Sequence, residues 1–462
     1  MPPIAEHPEV RAALDLFTAW TESQMAYAGQ PGVSAGIVHE QELIWARGFG
    51  WADTAARVPA TPETLYRIAS ITKLFTSTAI LQLRDAGTLR LDDPVAQYLP
   101  WFKLERPAAD GPPITIRHLI THTSGLPRES PFPYWTDVRF PSTEEVREAL
   151  TRQSAVLAPD TSWKYSNLAL TLAGEIVAAV SGVPWSEYVE GRVLAPLGMA
   201  SSLARTPAPD HPGLAKGYGR RLPDGTRALS PFTDTRGIAP SANMTTSVRD
   251  LARFAMLQLR DGPAGGAQVL AGSTLREMQR VHWLDPDWKA GWGLGFRVLR
   301  MGERTWVGHG GAVPGFRTQV QVIPASRMAV IVLTNADDGL PLQYVERALS
   351  WVVPALAAAA PAAATAPAWD PTWDRYLGRY RSVWADFQVL RGPEGLAVVD
   401  PTQPDPLVGR ISLTPVSEHT FRIATRDGYG SHGELVAFEL GPDGRVARVR
   451  LGQNWATAVR DW

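Results

Sequence analysis

A tract rich in alanine and proline divides this 462-residue sequence into two unequal parts. It spans residues 354–371 and reads PALAAAAPAAATAPAWDP. Its length approaches that of a membrane span, but Pro354, Pro361 and Pro367 interrupt it and alanine is only weakly apolar, so the tract is typical of a linker. The sequence therefore predicts two folding units, residues 1–353 and 372–462.

The first unit begins with a helix signal and a hairpin signal. Residues 8–30 place apolar side chains at near-helical intervals, which predicts a helix. The short apolar or alternating runs 33–38 and 43–49 flank a polar tetrapeptide and indicate a β-hairpin. The stretch 70–290 is then typical of helices and long loops.

Strand signals return near the end of the first unit. They cover residues 295–299, 305–307, 318–323 and 328–334, and a helical pattern follows at 340–353. Short connections favour antiparallel pairing, so these strands and the hairpin are predicted to form one antiparallel sheet. The predicted fold class is α/β (α+β), with the sheet flanked by helices and divided in sequence by a large helical insertion.

The second unit consists of short strand signals separated by turn residues. About ninety residues of this kind predict a small antiparallel β-barrel or sandwich. The strand signals lie at residues 387–390, 396–399, 411–413, 421–423, 435–440 and 446–451.

Composition excludes several classes of function. Lys and Arg total 45 against 46 Asp and Glu, a net charge of −1 that offers no footprint for nucleic acid or an anionic membrane. With no cysteine, a disulfide scaffold, an iron–sulfur cluster and a thiol nucleophile are excluded. We expect a small-molecule substrate with no cofactor and no metal, while the oligomeric state stays open.

The amino-terminal residues bear on the expected location of the protein. The sequence MPPIAEHPEVRAALDLF lacks a basic region followed by an apolar stretch, the pattern of a secretory signal. A cytoplasmic location is the expectation, or a periplasmic or secreted one if a signal has been removed.

Ser70-Ile71-Thr72-Lys73 is the only Ser-x-x-Lys sequence in the chain. The residues after it have helical periodicity as far as Gly87, so Ser70 and Lys73 are predicted to share one helical face. A lysine desolvated in an apolar pocket can take the proton of a serine nucleophile, and Ser70 near a helix start can offer its N–H to an oxyanion. The alternative is an exposed serine and a solvated lysine at the end of a core helix.

Tyr165-Ser166-Asn167 is the only Tyr-x-Asn sequence. A helical run ending at Gly182 follows, so Asn167 is a candidate helix N-cap. In a catalytic interpretation, Tyr165 acts as a phenolate-type general base with its pKa lowered by Lys73, and the Asn167 amide grips the substrate. The alternative is a capping asparagine beside a buried tyrosine.

His309-Gly310-Gly311-Ala312 follows a predicted strand. Paired glycines allow a ligand to approach the backbone, and an edge strand offers unpaired N–H and C=O groups to an acyl substrate. The alternative is an ordinary glycine turn with a surface histidine.

These three motifs, in this order, resemble those of the serine β-lactamase and penicillin-recognising hydrolase superfamily. The resemblance is to its class C-like branch of esterases, D-aminopeptidases and DD-peptidases, and it spans most of residues 8–353. Segments 116–127, 247–254 and 308–316 support it. The strand-rich unit at the carboxyl end resembles the lipocalin-like appendage of some relatives.

The resemblance implies roles for individual residues. Ser70 is expected to be the acylated nucleophile, Lys73 its activating partner and Tyr165 the general acid/base, while Asn167 contacts the acyl side of the substrate. The expected reaction is acylation of Ser70, followed by hydrolysis of the acyl-enzyme by water.

The third motif corresponds to the family's Lys-Thr-Gly strand. His309, Gly310 and Gly311 are therefore expected to line the cleft, with the N–H groups of Ser70 and Ala312 as the oxyanion hole. A histidine in place of the lysine is only partly charged at neutral pH and anchors a substrate carboxylate less firmly. Hydrolysis of carboxylic esters or small amides is thus expected. The alternatives are a D-amino-acid-specific peptidase, a DD-peptidase or a weak β-lactamase and, from another class, a catalytically silent binding protein.

Two other patterns point to different enzymes but lack the necessary context. Gly32 to Gly36 match the G-x-S-x-G nucleophile elbow, which needs a strand before and a helix after, whereas here a helix precedes and a strand follows. Ser34 is therefore predicted to be a strand residue. His118 and His122 have the spacing of a zinc-binding helix, but no glutamate follows His118, and we interpret both as structural.

Overall fold

The structure is a computed structural model. The helices and strands given below lie in the part of the chain that the model describes. The described ranges are 3–104, 111–263, 266–302, 304–360, 369–393, 395–407, 409–425 and 431–459. The α-helices are α1 (Pro8–Ala28), α2 (Thr72–Asp85), α3 (Val95–Tyr98), α4 (Ile116–Thr121), α5 (Tyr134–Asp137), α6 (Thr143–Leu150), α7 (Asn167–Ser181), α8 (Trp185–Val189), α9 (Ala195–Leu197), α10 (Ala239–Ala242), α11 (Val248–Leu257), α12 (Gly272–Gln279) and α13 (Pro341–Ala359).

Short helices of other types link several of these elements. A π-helix covers Glu190–Leu194. The 3₁₀ helices are Ile4–Glu6, Ala69–Ile71, Arg236–Ile238, Pro324–Ser326 and Pro371–Tyr376.

The strands fall into two groups, one in each of the two compact units, residues 1–359 and 360–462. In the first unit they are β1 (Gly32–His39), β2 (Glu42–Asp53), β3 (Val58–Pro59), β4 (Tyr66–Arg67), β5 (Thr245–Thr246), β6 (Trp283–Leu284), β7 (Ala290–Trp292), β8 (Arg297–Met301), β9 (Arg304–Val313), β10 (Phe316–Ile323) and β11 (Met328–Thr334). In the second they are β12 (Gly378–Arg381), β13 (Asp386–Gly392), β14 (Gly395–Val399), β15 (Ile411–Ser417), β16 (Thr420–Ala424), β17 (Leu435–Leu440), β18 (Val446–Leu451) and β19 (Asn454–Ala458).

A nine-stranded antiparallel sheet, in the order β3-β2-β1-β11-β10-β9-β8-β7-β6, forms the centre of the first unit. Strand β1 joins distant parts of the sequence, since Val33 lies opposite Phe49 of β2 in a local hairpin on one side and opposite Thr334 of β11 on the other. This arrangement confirms the predicted sheet that closes around a helical insertion.

The two faces of the sheet are covered by different helices. On one face, α1 packs against α13 and buries Val10, Leu14 and Phe17, which recur at helical spacing. The α1 helix ends at Gly29, whose φ of 57° is the left-handed conformation that favours glycine at this position.

The other face is covered by the helical insertion. There α2 packs against α7 and α10, and the 3₁₀ turn before α2 packs against β9 and β10. The start of α2 is thereby held against strand β9, which carries the third motif.

Helix α13 runs further than the sequence pattern predicts. It continues through Pro354 to Ala359, so the first residues of the predicted linker 354–371 are helical. Proline removes the N–H that would bond to the carbonyl of Ser350, but Ser350 is exposed and water can take that role, while Ala355 and Leu356 remain buried against the sheet. Residues 361–368 of the predicted linker lie outside the described residues.

The second unit is a closed antiparallel barrel, β12 to β19, which confirms the predicted barrel. Its core contains stacked aromatic rings, such as Tyr376 on Phe438 with centroids 4.5 Å apart. All six predicted strands are present. The two closing strands, β12 and β19, were not predicted because each buries a single residue, Tyr380 and Ala456.

Two further properties concern only the described ranges. No single helix among them is long and apolar enough to cross a membrane, although Asn167–Ser181 and Trp185–Leu197, bent by 78°, reach that length and composition as a pair. No group of three or more His, Asp or Glu side chains in these ranges is arranged to hold a metal ion.

Candidate active site

Ser70 lies in the 3₁₀ turn that leads into α2. The preceding residue, Ala69, has a φ of 49°, an uncommon conformation for a residue with a Cβ. The turn is fixed from the sheet side, because Thr318 of β10 donates a hydrogen bond to the Ile68 carbonyl at 3.2 Å. Ser70 is thus presented by a constrained backbone, as is frequent at functional positions.

Lys73 lies one turn after Ser70 and is completely buried. Its Nζ contacts Ser70 Oγ at 3.0 Å, Asn167 Oδ1 at 2.8 Å and the Ser241 carbonyl at 2.7 Å. Burial holds the pKa of Lys73 well below its ordinary value; the charge of Glu129 opposes this shift and that of Arg128 adds to it. The predicted shared face of Ser70 and Lys73 is present, and the lysine has the environment of a neutral amine.

Tyr165 donates a hydrogen bond to Ser70 Oγ at 2.9 Å. Burial raises the pKa of the Tyr165 hydroxyl above its ordinary value, although the hydrogen bond to Ser70 opposes the shift. The predicted lowering of this pKa by Lys73 is therefore wrong: burial disfavours the phenolate and outweighs the hydrogen bond with Ser70 and the charge of Arg128, which act in the opposite direction. Tyr165 is a neutral phenol in this site.

Asn167 is the first residue of α7, not its N-cap as predicted. Ser166 is the N-cap, and its Oγ accepts the N–H of Ala169 at 3.0 Å. This leaves the Asn167 side chain for the site, where Oδ1 accepts from Lys73 and Nδ2 donates to Glu129 Oε1 at 2.7 Å. In this structure the amide joins a lysine to a carboxylate.

The third motif lies on the part of β9 that has no partner strand on one side. Strand β8 pairs with β9 only as far as Gly308, so among the described pairings residues 309–313 have β10 on one side and no strand on the other. A Cβ on Gly311 would lie 2.1 Å from the Ile68 carbonyl, so only glycine permits the strand to approach the turn that carries Ser70. An extended acyl group can pair with this edge.

His309 is buried, with 6% of its surface exposed. Burial lowers its pKa to about 3, so the ring is neutral at physiological pH. The sequence predicts a partly charged histidine, so the difference from the charged lysine of the family pattern is larger than predicted. Nδ1 lies 2.6 Å from the Gly310 carbonyl. Because a carbonyl can only accept, Nδ1 carries the ring proton.

A cavity of about 990 Å³ brings the predicted residues together. It is lined by seven of the eight predicted site residues, while the eighth, Lys73, lies behind Ser70 in the protein interior. The predicted residues in the wall are Ser70, Tyr165, Asn167, His309, Gly310, Gly311 and Ala312. That the N–H groups of Ser70 and Ala312 form an oxyanion hole stays a prediction.

Several functional contacts were not predicted from the sequence. The Ser241 carbonyl that accepts from Lys73 is a backbone group 168 positions away and leaves no residue-type signal. Glu129 had a weak signal as the only acidic residue between Asp110 and Asp137. The ring of His122, interpreted as structural, lies on Tyr165 with centroids 4.4 Å apart.

The two misleading patterns resolve as expected from their context. Ser34 is a buried residue of β1, which confirms its predicted place in a strand. His118 caps α4, where its Nδ1 accepts the N–H of Thr115 at 3.0 Å, and its Nε2 contacts Asp160 at 2.9 Å.

The sheet with its helical insertion has the fold of the β-lactamase/transpeptidase superfamily. The octameric penicillin-binding protein homologue from Pyrococcus abyssi superimposes with a TM-score of 0.65 at 24% identity, over 96% of this chain and 99% of that chain. At this identity the likeness establishes the fold.

The chain belongs to the β-lactamase family, whose profile, described as Beta-lactamase, matches residues 17–352. Beta-lactamase-like protein 2 of Dictyostelium discoideum is 30% identical over 328 residues, which are 69% of this chain and 59% of that protein. The D-alanyl-D-alanine-carboxypeptidase/endopeptidase AmpH of Escherichia coli (strain K12) is 28% identical over 352 residues, 72% of this chain and 89% of that protein. Esterase EstB of Burkholderia gladioli is 30% identical over 300 residues, 57% of this chain and 74% of that protein.

These relatives define the level at which the function is known. The chain spans less than two thirds of the length of the Dictyostelium relative. The chain is a member of the β-lactamase family, and the relatives include an esterase and a peptidase, so family membership leaves the activity and the substrate undetermined.

Proposed function

We propose that this protein hydrolyses carboxylic esters or small amides through an acyl-enzyme on Ser70. The observation that carries the proposal is the set of partners of Lys73. A neutral amine has two N–H groups and one lone pair, and two of its three partners, Asn167 Oδ1 and the Ser241 carbonyl, can only accept. The Ser70 hydroxyl is the remaining partner, at 3.0 Å, and it can donate. Lys73 is thus arranged as the base for Ser70.

In acylation, the proton of the Ser70 hydroxyl moves to the Lys73 lone pair as Oγ forms a bond to the substrate carbonyl carbon. The carbonyl electron pair moves onto oxygen, where the N–H groups of Ser70 and Ala312 stabilise it. When the tetrahedral intermediate collapses, the bond to the leaving group breaks and Tyr165 supplies the proton that this group takes. The resulting phenolate recovers a proton from the Lys73 ammonium, which restores both groups.

Deacylation reverses these steps with water in place of the leaving group. Water loses a proton to the restored base and attacks the acyl carbon, and the bond to Ser70 Oγ breaks as that oxygen regains a proton. The raised pKa of Tyr165 keeps its hydroxyl protonated until a leaving group requires the proton.

The preference for uncharged substrates rests on His309. Where the family pattern has a lysine, this chain has a neutral ring with a pKa of about 3, which does not attract a carboxylate. The relationship to the esterase from Burkholderia gladioli supports the same preference.

A second candidate is hydrolysis of carboxylate-bearing D-peptides or β-lactams. It is favoured by Arg297, an exposed residue of the cavity wall that lies opposite Gly308 in the β8–β9 pairing, one residue before His309. A guanidinium there can bind a carboxylate that His309 cannot. The relationship to the Escherichia coli carboxypeptidase/endopeptidase supports this candidate.

A substrate panel separates the two. We expect kcat/KM to be highest for a short-chain p-nitrophenyl ester, lower for a D-amino-acid amide, and lowest for a chromogenic cephalosporin. Arg297→Gln is expected to leave ester hydrolysis unchanged. Cephalosporin turnover that equals ester turnover and is lost in R297Q would support the second candidate instead. No turnover of any substrate in the panel would favour a binding protein without catalytic activity.

A further inference from the structure

Glu129 lies in the wall of the cavity, and both of its carboxylate oxygens accept hydrogen bonds. Oε1 accepts from Asn167 Nδ2 at 2.7 Å, and Oε2 accepts from the hydroxyl of Tyr134, which is itself buried. Arg128 Nε lies 3.4 Å from Oε1, and the side chain of Glu129 is 21% exposed. The carboxylate is therefore held in one position.

The segment that carries Glu129 is attached to the start of α7. The carbonyl of Arg128 accepts the N–H groups of Asn167 and Leu168 at 2.8 and 3.3 Å, and the carbonyl of Pro127 accepts from Ser166 Oγ at 2.6 Å. These contacts keep Glu129 and Asn167 in register, so their side-chain contact does not depend on a flexible loop.

The chemistry of Glu129 determines the orientation of the Asn167 amide. A carboxylate only accepts hydrogen bonds, so it must face the NH₂ group of Asn167 and leave Oδ1 for Lys73. With the opposite orientation, Oδ1 would lie against a carboxylate and the NH₂ group against the amine. Lys73 could then satisfy Asn167 only by accepting from it, with the lone pair that Ser70 requires.

We propose that Glu129 is a positioning residue of this active site, which acts through the Asn167 amide to direct the lone pair of Lys73 toward Ser70. The inference rests on the proposed function, since it needs Lys73 to be the base of Ser70. Glu129 makes no contact with the reacting atoms in this account and forms no bond during the reaction.

The charges around Lys73 provide a readout that a merely structural residue would not affect. Glu129 raises the pKa of Lys73 and Arg128 lowers it, both against a background of burial that lowers it further. The other titratable groups that face Lys73 are His122, His309 and Tyr165, which burial keeps uncharged. Adjacent residues of opposite charge thus act on the same amine in opposite directions.

The test is a set of pH profiles of kcat/KM on a p-nitrophenyl ester. Glu129→Gln removes the charge and supplies an NH₂ group that can turn the Asn167 amide around, so we expect kcat to fall by roughly 10- to 100-fold. The acid limb of the profile should move to lower pH, whereas Arg128→Gln should move it to higher pH. Glu148→Gln, on the exposed surface of α6, is the matched control and should change neither quantity.

A double-mutant cycle tests the route through Asn167. In an Asn167→Ala background, Glu129→Gln should cause no further loss of kcat, because the amide that Glu129 orients is gone. Glu129→Asp keeps the charge with a shorter side chain, so it should lower kcat without moving the acid limb, and it keeps the test valid if E129Q folds poorly.

Two outcomes would overturn the inference: a wild-type kcat and pH profile in E129Q, or losses from E129Q and N167A that multiply in the double variant. The activity of Ser70→Ala distinguishes a failure of the positioning role from a failure of the proposed function. If S70A is inactive while E129Q behaves as wild type, only the positioning role fails, whereas an active S70A contradicts the proposed function itself.

Discussion

Ser34 and Ser70 have similar partners and very different surroundings. Each oxygen lies 2.9 Å from a tyrosine hydroxyl, that of Tyr66 for Ser34 and that of Tyr165 for Ser70. Burial raises the pKa of both tyrosines. A tyrosine at hydrogen-bond distance therefore does not distinguish the two serines.

The distinction comes from a base and from access. Ser34 is fully buried in β1 and donates its proton to the Thr61 carbonyl at 2.7 Å, an acceptor that cannot carry the proton away. Ser70 contacts the desolvated amine of Lys73 and faces the cavity. The comparison shows that a serine becomes a nucleophile through a base of suitable pKa and an open approach, whichever short sequence motif surrounds it.

The largest difference is expected between two variants in which either Ser70 or Ser34 is replaced by alanine. Ser70→Ala should reduce kcat on a p-nitrophenyl ester by about 10³-fold or more, because the nucleophile is lost. Ser34→Ala should retain kcat per folded molecule, since only a buried hydrogen bond is removed. Steady-state kinetics measures kcat, and circular dichroism measures the folded fraction of each variant. An inactive but folded S34A, with S70A active, would contradict the assignment of Ser70 as the nucleophile.

The two tyrosines provide the next largest contrast. On an alkyl ester, whose alkoxide leaving group needs a proton, Tyr165→Phe should lower kcat by about 10²- to 10⁴-fold, the usual contribution of a general acid or base. Tyr66→Phe should keep kcat and cost about 1 kcal/mol of unfolding free energy, for one buried hydrogen bond. Urea unfolding and ester kinetics on both variants check this, and equal activity losses would contradict separate roles.

The pH dependence of the wild type tests the protonation states. Because burial holds the pKa of Lys73 well below its ordinary value, the base should be free at neutral pH and kcat/KM should fall only as the solution becomes acidic enough to protonate it. The raised pKa of Tyr165 predicts no loss of activity near pH ~10 from phenol ionisation. A profile that rises only near the ordinary pKa of lysine would show that Lys73 is charged in the free enzyme.

The smallest effect is expected at His309. His309→Lys places a cation at the edge of β9, so the ratio of cephalosporin to ester kcat/KM should increase by about tenfold, equivalent to about 1.4 kcal/mol of carboxylate binding. His309→Gln, which stays neutral, is the matched control and should leave this ratio unchanged. An unchanged ratio in H309K would mean that charge at this position does not determine substrate choice.

Much of the fold was predictable because local pattern and tertiary structure agree. The short apolar run that became β1 is buried almost throughout, and barrel strands such as β17 alternate buried and more exposed residues, which is the signal that a period of two records. Strand β9 was predicted too short because Gly308, Gly310 and Gly311 have low strand propensity, although backbone carbonyls leave no room for a Cβ at Gly308 and Gly311.

The site was predictable as a list of residues but not as a network. Ser70 and Lys73 lie within one helical turn of each other, so their spacing in the sequence is enough to predict that their side chains meet. The Ser241 carbonyl and the Glu129 carboxylate join the network through long-range packing, and a backbone carbonyl has no residue type that a motif could contain. Burial, which sets the pKa values of Lys73 and Tyr165, likewise follows from tertiary structure.

The most direct test of the account is to identify the acylated residue. The enzyme would be incubated with a slowly hydrolysed p-nitrophenyl ester, quenched in acid and digested, and the acyl mass located by fragmentation of the peptides. If Ser70 is the nucleophile, a single acyl group will be found on Ser70 and will be absent from Ser70→Ala. An acyl group on Ser34, or an acylated enzyme that still forms and turns over the ester in S70A, would contradict the assignment of Ser70 as the nucleophile.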